Sequence, residues 1–156
     1  MKKQVISVEE VKRKLEQYCV YQDRCHKEVE QKLFEYDLIP QAKDMILLHL
    51  LEHNFLNEER FARSFARGKF RIKKWGKLRI VRELKLRNIT EYNIKTALKE
   101  IDEQEYITTL YELAEKKNDS IKETNIFKKK KKLIDYLNYR GYESNLIFEA
   151  VNATVS

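Results

Sequence analysis

Between Arg60 and Arg87 the apolar positions recur at helical spacing, with basic residues filling the gaps. Phe61, Phe65, Phe70, Trp75, Leu78, Val81 and Leu84 run through the segment. Phe61 and Phe65 lie one turn apart, and Leu78, Val81 and Leu84 step along one helical face with Ile80 beside them. This pattern predicts two amphipathic helices that give their apolar side to a core, joined by the turn GKFRIKKWGK. Arg79, Arg82, Lys85 and Arg87 fall largely on the opposite side.

The pattern around that segment occurs three times. KLFEYDL (32–38), ELKLRNI (83–89) and YLNYRGY (136–142) align on Leu33, Leu84 and Leu137. Four positions after each leucine stands Asp37, Asn88 or Gly141, residue types that tolerate the left-handed backbone just past a helix end. Each is followed by a large side chain, Leu38, Ile89 or Tyr142, where a Schellman-type stop packs back on the last turn. Three helix stops are therefore expected.

The helix starts agree. Ser7 in SVEE and Asp102 in DEQE are N-caps with an acid three residues on, and Asn57 in NEER is a cap followed by two acids that suit the helix dipole. From start to anchoring leucine the copies measure 26, 27 and 35 residues. The third therefore carries an insertion of about eight residues, placed in the polar stretch KKNDSIKET at 116–124. After each stop a further short helix is expected, opened by Pro40 in its first turn, capped by Thr90, or carried by ESNLIFEAVNA. Each unit reads as three helices in roughly fifty residues. The expected fold is all-α, an elongated array of three tandem three-helix repeats over residues 1–55, 56–101 and 102–156.

Composition fits this picture. The 156 residues include only three Gly and one Pro, and 42% are hydrophobic, enough for a modest core in a turn-poor chain. Charge adds something the periodicity does not. The net charge is +7, yet residues 60–87 hold twelve Lys or Arg and one acid, Glu83, so the rest of the chain is net acidic. Such segregation points to a polyanionic partner. The amino end has no continuous apolar run of signal-peptide type, and no stretch is long and apolar enough to span a membrane. Two cysteines, Cys19 and Cys25, fit a reducing compartment, so a cytoplasmic protein is expected.

Catalytic and metal chemistry find little support. Cys19, Cys25 and His26 lack paired zinc-ligand spacing, and His49 and His53, one turn apart, have no adjacent third ligand. The isolated glycines form no phosphate loop, and no nucleophile stands with a His and an acid. Neither an enzyme, a cofactor nor a bound metal is expected. Trp75 can stack on a base or plug the turn, and the helix start just after it favours packing. The run Lys128–Lys132 surrounds its helix, so some of its stems must lie over apolar surface.

The segment FLNEERFARSFARGKFRIKKWGKLRIVRELKLRNI (55–89) resembles the central repeat of the RecX family of recombinase regulators. The likeness lies in its Phe-Leu-Asn-Glu-Glu-Arg-Phe-Ala start, its basic glycine-containing turn, and Gly76, Ile80 and Leu84 in a Gly-x-x-x-Ile-x-x-x-Leu helix. RCHKEVEQKLFEYDL resembles the family's first repeat through Arg24, Glu28, Val29, Lys32 and Leu33. Departures are Asp37, where a glycine is common, and the lysine run of a weakly similar third repeat.

The resemblance implies three tandem three-helix repeats and a role in DNA repair, homologous recombination and the SOS response. That role is to bind the RecA–DNA filament and inhibit its ATPase and strand exchange. The implied partners are the RecA filament and single-stranded DNA, with duplex DNA a further candidate, for a monomer with no membrane contact. The basic residues expected to meet them are Arg67, Lys69, Arg71, Lys73, Lys74, Lys77, Arg79 and Arg82. The alternative is a non-specific helical DNA-binding protein without a recombinase partner, with helix 75–89 as a helix-turn-helix reader.

Overall fold

The computed structural model describes residues 6–155. Among these residues the chain forms nine α-helices and no β-strand, a tandem array of helical repeats. The first unit holds α1 (Val8–Tyr21), α2 (His26–Leu33) and α3 (Pro40–Glu52). The second holds α4 (Glu58–Arg71), α5 (Lys77–Leu86) and α6 (Glu91–Leu98). The third holds α7 (Glu103–Ser120), α8 (Ile126–Arg140) and α9 (Ser144–Thr154). In each, the first helix packs against the two that follow it.

The expected caps are in place. Ser7, Asn57, Thr90 and Asp102 each accept a hydrogen bond from the amide three residues on, at 2.9–3.2 Å. Each satisfies one of the free donors at a helix start, a contribution of about 1 kcal/mol. Pro40 opens α3, where its missing N–H costs nothing. Asn88 and Gly141 take the left-handed conformation, with φ of 59° and 96°. The amides of Ile89 and Tyr142 then return to the carbonyls of Leu84 and Leu137, and both side chains are buried.

Two expectations need correction, at Asp37 and at Leu78, and the expected insertion takes helical form. Asp37 is not left-handed. There α2 ends at the anchoring Leu33 itself, and the amides of Glu35 and Tyr36 turn back to the carbonyls of Lys32 and Leu33. Buried Tyr36 then closes the core from a shorter helix. Leu78 is 49% exposed, and the buried line of α5 is Ile80 and Leu84 continuing from Gly76. The i, i+4 line won over the i, i+3 line because Gly76 is pressed against the third unit, which fixes the face α5 turns inward. The third unit's extra residues form no loop. The connections after α4 and α7 both span five residues, while α7 is 18 long against 14 for α4, and α8 is 15 against 10 for α5. About one extra turn per helix absorbs the insertion.

Two buried clusters hold the chain together. One lies among α1–α3 and the segment that follows α3, around Val11, Leu15, Val29, Ile46, Leu50 and Leu56. The other runs without a break from α4 to α9 and also takes in Cys25, at the head of α2. At the first junction Arg60 donates to Asp23 at 2.7 Å and to the carbonyls of Asn54 and Phe55, while Glu58 accepts from the His26 amide at 3.2 Å. The second junction is tighter. The amides of Gly76 and Leu78 donate to the carbonyls of Arg140 and Gly141 at 2.7 and 2.9 Å, so the end of α8 satisfies the start of α5.

Candidate functional site

The basic turn between α4 and α5 is held from three directions. Three residues past the end of α4, Lys74 takes φ 60°, and the amides of Lys74 and Trp75 fold back to the carbonyls of Phe70 and Lys69. Arg140 donates to the Lys73 carbonyl, and the Tyr142 hydroxyl donates to the Lys74 carbonyl at 2.9 Å. Burial pushes the phenols of Tyr142 and Tyr106 up, which keeps both protonated as donors. Tyr106 donates to Glu143 and accepts from the Lys77 amide at 2.8 Å. The rings of Phe70, Tyr106 and Tyr142 pack in series beneath, tilted against one another with centroids 5.8 and 5.1 Å apart.

A left-handed lysine costs about 1 kcal/mol or more, and it persists only where its surroundings impose it. Here the two carbonyls beside it are tied to the third unit. The turn is thus a backbone loop tied at two points to the third unit and carrying exposed cationic side chains.

Trp75 is the hub of the turn's surface. It is half-buried against the core, meets Phe65 edge-on at 6.3 Å, and carries Arg79 4.3 Å and Lys69 5.0 Å from its ring centroid. Its environment is that of a packed plug. Contacts of this kind orient a cation while leaving its charge unneutralised, at about 0.5–1 kcal/mol each when exposed.

The eight expected residues divide accordingly. Arg71, Lys73, Lys74 and Arg82 are exposed and have no carboxylate partner among the described residues. Lys69 and Arg79 lie over aromatic rings, Arg79 also between Trp75 and Tyr139. Arg67 pairs with Glu100 at 2.9 Å, and Lys77 pairs with Glu103 and lies over the Tyr106 ring. Six of the eight therefore form the surface around the turn, and two have their charge answered within the fold. The ion-pair partners lie 33 and 26 positions away in sequence. No local signal could reveal them.

A cleft of about 330 Å³ flanks the turn where the first two units meet, lined by Phe65, Gly68, Lys69, Lys73 and Arg87 with Asp23 and Glu28 opposite. Sequence reasoning missed the supports of the turn: Arg140, Tyr142 and Tyr106 all come from the third unit. Gly141 was a visible trace of them, read only as a helix stop.

Cys19 and Cys25 are buried free thiols, and burial pushes both up to about 11, well above an exposed thiol. His49 bonds Glu16 at 2.7 Å, between α3 and α1. No group of three His, Cys, Asp or Glu side chains with metal-binding geometry occurs among the described residues. None of the described helices is long and apolar enough to cross a membrane.

Residues 57–98 match the family model described as RecX, second three-helix domain, and residues 103–151 match RecX, third three-helix domain. A regulatory protein RecX from Lactobacillus gasseri is 32% identical over 90 residues, covering 58% of this chain and 33% of that protein. That from Lactobacillus johnsonii is 27% identical over 129 residues, covering 83% and 48%. That from Pelodictyon phaeoclathratiforme is 29% identical over 128 residues, covering 82% and 78%. The chain thus spans a third to a half of the length of the two Lactobacillus proteins. Among solved structures, RecX from Lactobacillus salivarius superposes with a TM-score of 0.81 at 22% identity, over 94% of this chain and 96% of that one. Another regulatory protein RecX gives a TM-score of 0.82 at 20% identity, over 94% and 73%. At these identities the two structures speak for the fold.

Proposed function

The chain belongs to the RecX family, and on that premise we propose that it binds the RecA–DNA filament and inhibits its ATPase and strand exchange, modulating recombination and DNA repair. It acts by binding rather than catalysis, as a cytoplasmic monomer. A recombinase filament is a helical polymer of protein wound on DNA, with a groove that a second strand must enter. A tandem array of units with a cationic turn at its middle competes for that path. Phosphate contacts there are sequence-independent and weaken with salt.

The observation that carries this reading is the exposed set Arg71, Lys73, Lys74 and Arg82 around a turn whose backbone is clamped by Arg140 and Tyr142. Preorganised backbone spares the partner the cost of ordering the loop. Against a helix-turn-helix reader stands the start of α5. Such a reader offers the first turn of its second helix to base edges. Here that turn is packed on the third unit: Gly76 is buried, Lys77 is paired with Glu103, and Arg79 is held over Trp75 and Tyr139.

The test is ATP hydrolysis by preformed RecA filament on single-stranded DNA, titrated with the protein, with excess free DNA as control. Inhibition near or below stoichiometry that survives the control supports the proposal. Inhibition that vanishes with free DNA reduces the turn to a phosphate competitor, and no inhibition removes the proposal.

A further inference from the structure

A second basic surface lies outside the central turn, between α7 and α8. One cleft of about 590 Å³ is lined by Lys74, Lys116, Lys117, Tyr136 and Arg140. Another of about 560 Å³ shares Lys117, Ser120 and Tyr136 with it and adds Lys122, Lys132 and Tyr139. The two clefts adjoin at these shared residues and together line the α7–α8 groove. Its α7 wall runs from Thr109 to Ser120, about 16 Å at the rise of a helix. Its upper end is Lys74 of the basic turn, so it continues the surface described above.

The groove's charge is lopsided. Its lining carboxylates are Glu112 and Asp135, and Lys131 occupies Asp135 at 3.0 Å. Lys74, Lys116, Lys117 and Lys122 have no carboxylate partner among the described residues, and Lys132 stands 3.9 Å from Glu123. Of the lysine run at 128–132, only Lys132 reaches the groove.

Aromatic rings alternate with these cations. Lys117 and Arg140 lie 5.0 and 5.8 Å from the centroid of Tyr136. Tyr139 is 72% exposed, with the Arg79 guanidinium 4.9 Å from its centroid and donating to its carbonyl at 3.3 Å. A positive groove with aromatic platforms suits one class of ligand, whose phosphates take the cations while its bases take the rings. An acidic peptide would leave the rings idle. A duplex keeps its base faces stacked inside and could offer only phosphates.

We propose that the α7–α8 groove binds single-stranded nucleic acid, with phosphates on Lys74, Lys116, Lys117 and Lys122 and a base stacked on Tyr139. This goes beyond the filament reading and does not depend on it, because the site lies within this chain and needs no recombinase. A strand leaving the basic turn would follow the groove along the third unit.

The test is fluorescence anisotropy of a labelled 15-mer oligothymidylate with the full chain, over a series of salt concentrations. The triple variant Lys116→Ser, Lys117→Ser, Lys122→Ser should bind at least tenfold more weakly. Its salt slope should fall by about two, as loss of three phosphate contacts to a single strand requires. Tyr139→Ala should bind about fivefold or more weakly with the slope unchanged, as loss of one stacked base requires. The triple Lys128→Ser, Lys129→Ser, Lys130→Ser removes equal charge outside the groove, leaves Lys131 on Asp135, and should leave affinity within twofold. Circular dichroism checks that each variant is folded. Equal losses in both triples, or no loss in the first, would overturn the proposal. So would a neutral Tyr139→Ala together with equally tight binding of a 15-base-pair duplex.

Discussion

Gly76 and Gly141 meet backbone to backbone across the second and third units. A Cβ built on either falls well inside contact distance, on the Gly141 carbonyl in one direction and on the Arg79 Cβ in the other. This contact lets the end of α8 cap the start of α5, and it sets the basic turn against Arg140 and Tyr142.

Gly76→Ala therefore forces the two units apart. Overpacking of this kind costs about 1–3 kcal/mol. Urea unfolding should show that loss, and quenching of Trp75 fluorescence by iodide should rise as the turn loosens. Unchanged stability would mean that the junction yields without cost.

Lys74 offers a gain in stability against a loss in binding. Its φ of 60° is strained for lysine and free for glycine. Lys74→Gly should raise stability by about 0.5–1 kcal/mol in urea unfolding while removing one cation from the surface. A destabilised Lys74→Gly would show that the lysine stem contributes packing larger than the strain.

The pH dependence follows from the buried thiols. Burial holds Cys19 and Cys25 up at about 11 in the folded chain, against an ordinary value of 9.0. Between those values the unfolded chain has released protons that the folded chain keeps, so rising pH favours unfolding. Stability is fully present below pH 9 and should decline as pH climbs towards 11. The buried phenols of Tyr106 and Tyr142 act with the same sign at higher pH. The double variant Cys19→Ala, Cys25→Ala should show a shallower decline in urea unfolding measured at pH 8, 9 and 10. An identical decline would assign the effect to other groups.

Local chemistry made much of this fold legible. Ser7, Asn57, Thr90 and Asp102 announce helix starts because capping involves residues three apart, and Asn88 and Gly141 announce stops because few residues accept a left-handed backbone. Asp37 misled because tolerance of that conformation does not impose it, and a shorter α2 closed with Tyr36 instead. Lys74 gave no such signal: a residue type that rarely goes left-handed is held there by bonds from the third unit to the Lys73 and Lys74 carbonyls, across 67 and 68 positions of sequence. Charge clustering located the candidate surface. Which cations stay unpaired depended on Glu100 and Glu103, acids that only the packing of α4–α6 and α7 brings within reach.

The most direct test of the account compares the protein with the variant Arg71→Ser, Lys73→Ser, Lys74→Ser, Arg82→Ser in RecA ATP hydrolysis on single-stranded DNA. All four side chains are exposed, so the variant should keep the wild-type circular dichroism spectrum and melting cooperativity. The account predicts that wild-type protein inhibits at near-stoichiometric ratios and that the variant needs at least tenfold more protein for the same effect. A folded variant that inhibits as well as the wild type would contradict it.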